Sequence, residues 1–217
     1  MRFGINCANF GENHWLMNVP ATVKKKVSFE EYLAAEQEGK VRHEFHDGVL
    51  IPLEATTKRH NRIVTNVLRS IDPSKLAKKG CEIYHENVIT KVRENKKYVY
   101  PDVVITCDPT DQADEYVIKN PCVIMEVLSK STAPYDKAGK FFKYQRIPSL
   151  QQYILVSQYA IAVEYYLKME DGEWVYRALD SLEDVLLVGG IVLFSSAFFS
   201  KTTKGIFPAR ESASVGT

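Results

Sequence analysis

The sequence has no excess of charge of either sign. It holds 28 lysines and arginines against 27 aspartates and glutamates, so its formal net charge is +1 at pH 7. A near-neutral chain does not bind nucleic acid through bulk positive charge, because that binding depends on how many phosphates the basic residues neutralise. Any nucleic-acid contact must come from local groups of residues. Two basic clusters are present, Lys75/Lys78/Lys79 and Arg93/Lys96/Lys97. We expect both to be solvated loops, with contact to phosphate as the alternative.

Cysteines are few and widely spaced in the sequence. The four, Cys7, Cys81, Cys107 and Cys122, include no CxxC pair and no nearby histidine cluster. This pattern excludes a zinc knuckle and a dithiol redox motif. We expect the cysteines to be reduced thiols, as in cytosolic proteins.

Long apolar runs are also missing. Residues 1–15 have no apolar segment after a basic start, so no secretory signal is predicted. The least polar stretch, residues 185–200, is shorter than the ~20 residues that span a bilayer. Gly189 and Gly190 interrupt it. We therefore expect no membrane insertion, a terminal core strand with a turn in this stretch, and a cytoplasmic location.

The overall amino-acid composition is typical of a folded domain. Of 217 residues, 45% are apolar and 25% are charged. A chain of this length buries roughly 70% of its unfolded surface, enough for one core with an active-site cavity. We predict one domain over residues 27–209, a flexible N-terminal arm at 1–26 and a flexible tail at 210–217. Met1 and Met17 are both candidate start positions.

Local patterns predict an alternation of helices and strands. Helical spacing or capping signals are found in three segments: 28–38, 60–71 and 135–146. Strand character is found in a hairpin at 41–51 about Asp47-Gly48, in a second hairpin formed by 81–92 and 98–106, and in 122–128, 152–156, 161–168 and 174–179. This order predicts an α/β fold with a mixed central β-sheet flanked by helices.

One carboxylate interrupts the most apolar of these strands. Glu126 lies in CysValIleMetGluValLeu (122–128), where an ionised side chain is costly unless a cation or hydrogen bonds compensate it. Asp102 opens a neighbouring β-run directly after Pro101. Adjacent strands would bring both carboxylates to one Mg²⁺, which prefers oxygen ligands, with Mn²⁺ as a substitute. Such a metal activates water and holds phosphate, as phosphodiester hydrolysis requires.

The same chemistry needs an amine to orient the attacking water or counter the phosphate charge. A lysine at position 128 would share a strand face with Glu126, but that residue is Leu128. Lys140, on the helix that follows, is the best candidate. Glu44 on the first hairpin and His60 near a helix start could add a third carboxylate and a contact to phosphate or water.

Five short motifs occur in order along the chain. They are ArgHisGluPheHisAspGlyVal (42–49), HisAsnArgIleVal (60–64), TyrProAspValValIle (100–105), MetGluValLeuSerLysSerThr (125–132) and TyrAspLysAlaGlyLysPhePheLysTyr (135–144). In this order they resemble the Uma-two type restriction endonuclease family over about residues 28–207, and five ordered motifs are far more specific than one. The resemblance implies a restriction endonuclease-like α/β core, similar to the PD-(D/E)xK nuclease superfamily, with a divalent metal.

The resemblance also implies a role for each matching position. Seven positions match: the metal ligands Asp102, Glu126 and Glu44, the amine Lys140, the histidine His60, and the supporting residues Asp136 and Tyr144. The lysine of the ExK element is missing, and Lys140 replaces it from the following helix. Lys130 stands where the family pattern has proline, which affects the local turn and not the metal ligands.

These expectations describe a Mg²⁺-dependent endonuclease that hydrolyses phosphodiester bonds of DNA. One alternative is a catalytically inactive DNA-binding or interaction protein that retains the nuclease fold, because position 128 lacks the lysine. Another is hydrolysis of a non-nucleic phosphoester by the same metal chemistry. A homodimer would suit double-strand cleavage, since two sites must address two strands.

Overall fold

The structure is a computed structural model that describes residues 26–39, 41–129 and 139–199. Six helices lie in these ranges: α1 (Phe29–Glu38), α2 (Lys58–Ser70), α3 (Pro73–Ala77), α4 (Pro109–Ala113), α5 (Phe141–Tyr144) and α6 (Ser195–Phe199). None of these described helices has both the length and the apolar character needed to cross a membrane. Lys130, Asp136, the arm up to residue 25 and the tail at 210–217 lie outside the described residues, so the expectations for them stay predictions.

The larger of two main sheets has six strands. In spatial order they are β11 (Trp174–Leu179), β10 (Val163–Lys168), β9 (Gln152–Ser157), β8 (Pro121–Leu128), β6 (Val103–Thr106) and β3 (Glu82–His85). Strands β8 and β9 are parallel, and the other neighbouring pairs are antiparallel. The sheet is therefore mixed, as the sequence predicts.

The smaller sheet has five strands. In spatial order they are β2 (Val49–Pro52), β1 (His43–His46), β5 (Lys97–Val99), β4 (Ile89–Arg93) and β7 (Val117–Ile118). Only β4 and β7 are parallel among the neighbouring pairs of this sheet. The stretch predicted as a terminal strand with a turn is a separate hairpin of β12 (Val185–Val188) and β13 (Ile191–Phe194), followed by α6.

Side chains of both sheets meet in one buried cluster. Val99 of the smaller sheet packs there with Val104 and Ile124 of the larger sheet. A second cluster includes Ile63 of α2 and covers the opposite face of the larger sheet. Tyr32 of α1 lies in a third cluster against the smaller sheet. The molecule is thus built in layers, with α2 and α1 covering the outer faces and α5 packed in the cluster that the two sheets share.

Local signals explain the first helix and the first hairpin. Ser28 Oγ accepts a hydrogen bond from the Glu31 N–H (3.1 Å), and the Glu31 carboxylate accepts one from the Ser28 N–H (2.7 Å). This is the predicted capping box, which satisfies two backbone donors at the helix start. Asp47 and Gly48 have φ of 50° and 90°, the left-handed conformations that a tight two-residue hairpin turn requires.

Helix α2 places His60 inside its first turn. Thr57 caps the helix by accepting a hydrogen bond from the His60 N–H (3.1 Å), so the helix begins at Lys58, two residues before the predicted start. The buried face carries His60, Ile63 and Val64. His60 is therefore turned toward the larger sheet rather than toward solvent.

The predicted hairpin of residues 81–92 and 98–106 is only partly correct. Strands β4 and β5 do form an antiparallel pair, but β3 and β6 pair with each other in the other sheet. Each segment changes direction between its two strands. Glu86 and Asn87 have positive φ between β3 and β4, and Pro101 lies between β5 and β6. A single β-rich segment therefore contributes to two sheets.

The expectation of reduced thiols is wrong for two cysteines. Cys81 directly precedes β3, and Cys107 directly follows β6. The antiparallel register of these strands places the two residues at the next opposed position, where they form a disulfide. The bond joins residues 26 apart in sequence, a pairing that only the strand register reveals. Cys122 is a free thiol.

Candidate active site

Glu126 is a buried carboxylate in the middle of the larger sheet. Every residue of β8 except Cys122 is buried, and the Glu126 side chain is only 6% exposed. Ile124 and Leu128, which share its strand face, pack in the cluster between the sheets. A charge in such surroundings needs a partner in direct contact.

That partner comes from α5. Lys140 Nζ donates a hydrogen bond to Glu126 Oε1 at 2.9 Å, and the Tyr144 hydroxyl donates to the same oxygen at 3.1 Å. Lys140 directly precedes α5 and Tyr144 ends it, so the i, i+4 spacing places both groups on one side of the helix. Lys140 thus reaches Glu126 from fourteen positions further along the chain, whereas Leu128 packs in the cluster between the sheets.

Asp102 lies across from Glu126 at the start of β6. The β6–β8 register pairs Val103 with Met125, and the same register one residue further places Asp102 opposite Glu126. Asp102 Oδ2 accepts hydrogen bonds from the Val127 N–H at 2.7 Å and from His60 Nε2 at 3.0 Å. The carboxylate is therefore fixed to the backbone of the strand that carries Glu126.

His60 reaches Asp102 from the helix layer. Its side chain is 7% exposed, and Nε2 donates to the Asp102 carboxylate, which leaves Nδ1 as the second ring nitrogen. Nδ1 is buried and has no hydrogen-bond partner in the part of the chain that the structure describes. Helix α2 therefore holds Asp102, while the α5 region holds Glu126.

Glu44 belongs to the smaller sheet and bonds to a neighbour on its own strand. Its Oε2 lies 2.8 Å from His46 Nε2. Burial acts to raise the pKa of Glu44, but the His46 hydrogen bond and the positive charges of Lys140 and Lys97 outweigh it, so the pKa is lowered. The carboxylate is thus ionised and electrostatically linked to the lysine that bonds Glu126.

Lys97 is a residue that the sequence analysis missed. It was expected in a solvated loop, yet it lies in β5, paired with His46 of β1, and is only 8% exposed. Burial, and next the repulsion by Lys143, lowers the pKa of Lys97 to about 7. The available signal was the position of Lys97 directly before the apolar pair Tyr98-Val99, which places it in the strand rather than in the turn.

Asp102 and Glu126 fit a two-carboxylate cation site. Residues directly opposite on antiparallel strands have Cβ atoms about 5 Å apart. Asp102 Oδ2 accepts both of the bonds described above, and no donor among the described residues reaches Oδ1. Mg²⁺ is usually held by one or two carboxylates, with water and substrate phosphate as its other ligands. These two carboxylates therefore suit that ion.

A third protein ligand is not evident in the described ranges. They contain no group of three or more His, Cys, Asp or Glu side chains arranged to hold a metal. Glu44 is instead bonded to His46. Its predicted role as a metal ligand stays a prediction, whereas its position close to Lys140 and Lys97 is a feature of the structure.

Six of the seven predicted site residues lie in the described ranges. The contacts join five of them in two linked groups, His60 with Asp102 and Lys140 with Tyr144 about Glu126. Glu44 is linked to the second group through the charge of Lys140. Asp136, the seventh, lies outside the described residues.

Comparisons with known proteins agree with this architecture. The family model described as "Uma2: Putative restriction endonuclease" matches residues 29–193. Two proteins of Synechocystis sp. are similar in sequence. The uncharacterized protein slr1290 is 36% identical over 167 residues, covering 76% of this chain and 87% of that protein. The uncharacterized protein sll1609 is 34% identical over 165 residues, covering 75% and 92%.

A solved structure shares the fold. It is described as a "putative nuclease belonging to DUF820" from Anabaena variabilis, and it superposes with a TM-score of 0.63 at 14% sequence identity. The match covers 80% of this chain and 98% of that one. The predicted α/β fold, a mixed sheet flanked by helices, is confirmed.

Proposed function

The chain belongs to the Uma2 restriction endonuclease family, and on this premise we propose that it is a metal-dependent endonuclease that hydrolyses phosphodiester bonds of DNA. The observation that carries the proposal is the opposed pair Asp102 and Glu126, with Lys140 bonded to Glu126. Two carboxylates for a hard cation and one ammonium group are the groups that phosphodiester hydrolysis needs in a single place.

Asp102 and Glu126 would hold Mg²⁺, with Mn²⁺ as a substitute. When bound, the cation supplies a water of lowered pKa and a positive charge beside the phosphate. Asp102 is ready for this role because the His60 and Val127 hydrogen bonds leave its Oδ1 without a donor from the described residues. Such supporting bonds orient a metal-binding side chain before the ion arrives.

Lys140 supplies the ammonium group. Its Nζ contacts Glu126 Oε1 and, with three protons to donate, can also hydrogen-bond the attacking water or a phosphate oxygen. Tyr144 donates to the same oxygen and keeps Glu126 oriented as Lys140 turns toward substrate. Tyr144 therefore positions the carboxylate, and Lys140 counters the charge of the phosphate.

Local positive charge supports binding of a phosphate backbone. Lys97 lies within electrostatic range of Lys140 and Lys143, so three lysines gather beside the carboxylates. A phosphodiester brings negative charge to this place, and that charge relieves the repulsion among the lysines. A chain of net charge +1 can therefore bind nucleic acid at one site.

The proposal is tested by removing single carboxylate charges. Glu126→Gln and Asp102→Asn should each lower Mg²⁺-dependent nicking of supercoiled plasmid by at least about 100-fold, because each removes a hard ligand while keeping the side-chain volume. Cleavage is measured on agarose gels over a Mg²⁺ and Mn²⁺ titration with single-stranded, double-stranded DNA and RNA substrates.

The matched control is Glu170→Gln, since Glu170 is an exposed carboxylate in the turn between β10 and β11. It should cleave like the unmodified protein. Equal cleavage by Glu126→Gln and Glu170→Gln would refute the assignment. Metal-independent DNA binding without cleavage under any of these conditions would favour the inactive DNA-binding protein instead.

A further inference from the structure

Three cysteines lie together at the end of the larger sheet that is remote from the carboxylates. Cys107 follows β6, Cys81 precedes β3, and Cys122 lies near the start of β8. Asp102 directly precedes β6, and Glu126 lies in the second half of β8. About four residues at ~3.3 Å each separate the two places, or roughly 13 Å. The sulfur cluster is therefore distinct from the proposed nuclease site.

The third sulfur touches the disulfide. Cys122 Sγ lies 3.3 Å from Cys107 Sγ, and Cys107 is bonded to Cys81. Because Cys107 carries no proton in that bond, the thiol of Cys122 is the donor in the contact. A free thiol is thus held against one sulfur of a disulfide, the arrangement from which thiol–disulfide exchange proceeds.

A β-bulge produces this contact. In the β6–β8 ladder Ile105 pairs with Val123, but Thr106 pairs with Pro121, so Cys122 is the extra residue. Bulges redirect a side chain that a regular ladder would place elsewhere. The irregularity lies at the one residue of β8 that carries a thiol.

We propose that Cys81, Cys107 and Cys122 form a thiol–disulfide exchange site that interconverts a Cys81–Cys107 and a Cys107–Cys122 disulfide. The thiolate of Cys122, its proton passed to solvent, attacks Cys107 Sγ. The Cys107–Cys81 bond breaks, and Cys81 leaves as a thiolate that takes up a proton. One disulfide and one thiol exist before and after, so no oxidant or reductant is consumed.

Accessibility and acidity set the speed of this exchange. Cys107, the sulfur shared by both bonds, is exposed, whereas Cys81 is 5% exposed. Burial raises the pKa of the Cys122 thiol to about 11. The thiolate that attacks is therefore scarce at neutral pH and increases as pH rises.

The two isomers link different strands. The Cys81–Cys107 bond joins β6 to the edge strand β3, while a Cys107–Cys122 bond would join β6 to β8, the strands that carry Asp102 and Glu126. Disulfides in cytosolic proteins are usually transient rather than permanent crosslinks. An exchangeable bond agrees with the cytoplasmic location predicted from the sequence.

Alkylation tests the proposal without any reductant. Full-length protein carrying Cys7→Ser, purified in air, is treated with iodoacetamide at pH 7, 8 and 9, quenched in acid and digested for mass spectrometry. Cys81 should be alkylated over time, because exchange releases it, and its initial rate should rise about tenfold per pH unit below the pKa of Cys122. A peptide pair linked through Cys107 and Cys122 should accompany it.

Two variants complete the experiment. Cys122→Ser, checked for native circular dichroism, cannot exchange, so its Cys81 should stay in the disulfide and remain unmodified. Cys81→Ser, incubated with oxidised glutathione, should form the Cys107–Cys122 bond. The proposal fails if Cys81 is protected in the parent protein while Cys122 is alkylated, if Cys81 is alkylated equally in Cys122→Ser, or if Cys81→Ser forms no such bond.

Discussion

His60 acts on the proposed chemistry through Asp102. Its Nε2 is 3.0 Å from Asp102 Oδ2, and replacement by Ala removes one of the two donors that fix this carboxylate. Loss of a hydrogen bond that orients a metal ligand typically costs 10–100-fold in metal affinity or activity. We expect His60→Ala to raise the Mg²⁺ concentration for half-maximal cleavage about 10-fold or more.

His60→Gln should restore part of this loss, because its amide can donate to the same oxygen. The matched control is His85→Ala, since His85 is exposed at the end of β3. A Mg²⁺ titration of plasmid nicking measures all three variants. An unchanged midpoint for His60→Ala would show that Asp102 needs no support from α2.

Lys97 makes the stability of the protein depend on pH. Its ordinary pKa is 10.5, and burial together with Lys143 lowers the pKa to about 7 in the folded state. Between these values the unfolded chain holds the proton and the folded chain does not, so the free energy of unfolding rises with pH. One such proton contributes up to about 1.4 kcal/mol per pH unit.

Lys97→Met removes this titration. The variant should be more stable than the parent protein at pH 6, where the parent buries a charge, and its advantage should shrink as pH rises toward 9. Urea unfolding at pH 6, 7, 8 and 9 gives the difference, in which titrating groups that do not interact with Lys97 cancel. Lys96→Met, at an exposed neighbour, is the control. A difference that is constant over this pH range would contradict the burial of a titrating amine.

Single residues of the site were predictable where an anomaly marked them. Glu126 stands out because it is the one carboxylate in an apolar strand. Lys140 was predicted from its place on the following helix and from the family resemblance, once position 128 proved to be leucine. His46 and Lys97 carry no such mark, since a histidine in a hairpin and a lysine after a turn are ordinary surface residues. Lys97 is nevertheless buried and His46 half-buried, because the β1–β5 pairing places them opposite each other in the smaller sheet, a long-range feature that local spacing does not contain.

At the scale of elements, the β1–β2 turn is held by the chain that precedes α1. The Val27 N–H donates a hydrogen bond to the Gly48 carbonyl at 3.0 Å. A Cβ at Gly48 would lie 3.0 Å from Lys26 Cβ, and the φ of this residue is +90°. Gly48→Ala therefore adds a steric contact to the backbone strain that a left-handed alanine bears, about 1–2 kcal/mol.

Gly172 offers a matched comparison. Its φ is +87°, but a Cβ there would meet nothing within 4 Å. Gly172→Ala should cost about 1 kcal/mol, and Gly48→Ala about 1 kcal/mol more. Chemical denaturation measures both variants in one buffer. Equal costs would mean that residues 26–27 move away from the added Cβ without any loss of stability.

Elements with strong local signals were predicted well. The capping box at Ser28 correctly predicted α1, and the Asp47-Gly48 pair correctly predicted the β1–β2 turn. The apolar run at 122–128 correctly predicted β8. The second predicted hairpin was wrong in its outer half, since β3 and β6 leave the ladder of β4 and β5 for the other sheet. Strand propensity identifies a strand but not its partner.

For the whole molecule, net charge was a poor guide to local charge. The sum of +1 hides three lysines gathered beside the carboxylates. Both sheets contribute to this place, because Glu44 and Lys97 come from the smaller sheet and Asp102 and Glu126 from the larger. The site therefore depends on how the two sheets are packed.

The position of Lys140 has a consequence for pattern searching. A text pattern that requires lysine two residues after the glutamate passes over this chain, since that position is Leu128. The ammonium group still reaches the carboxylate at 2.9 Å from a residue fourteen places later. Query patterns for members of this family should therefore be written as distances between functional groups, with the order and spacing of the residues left free.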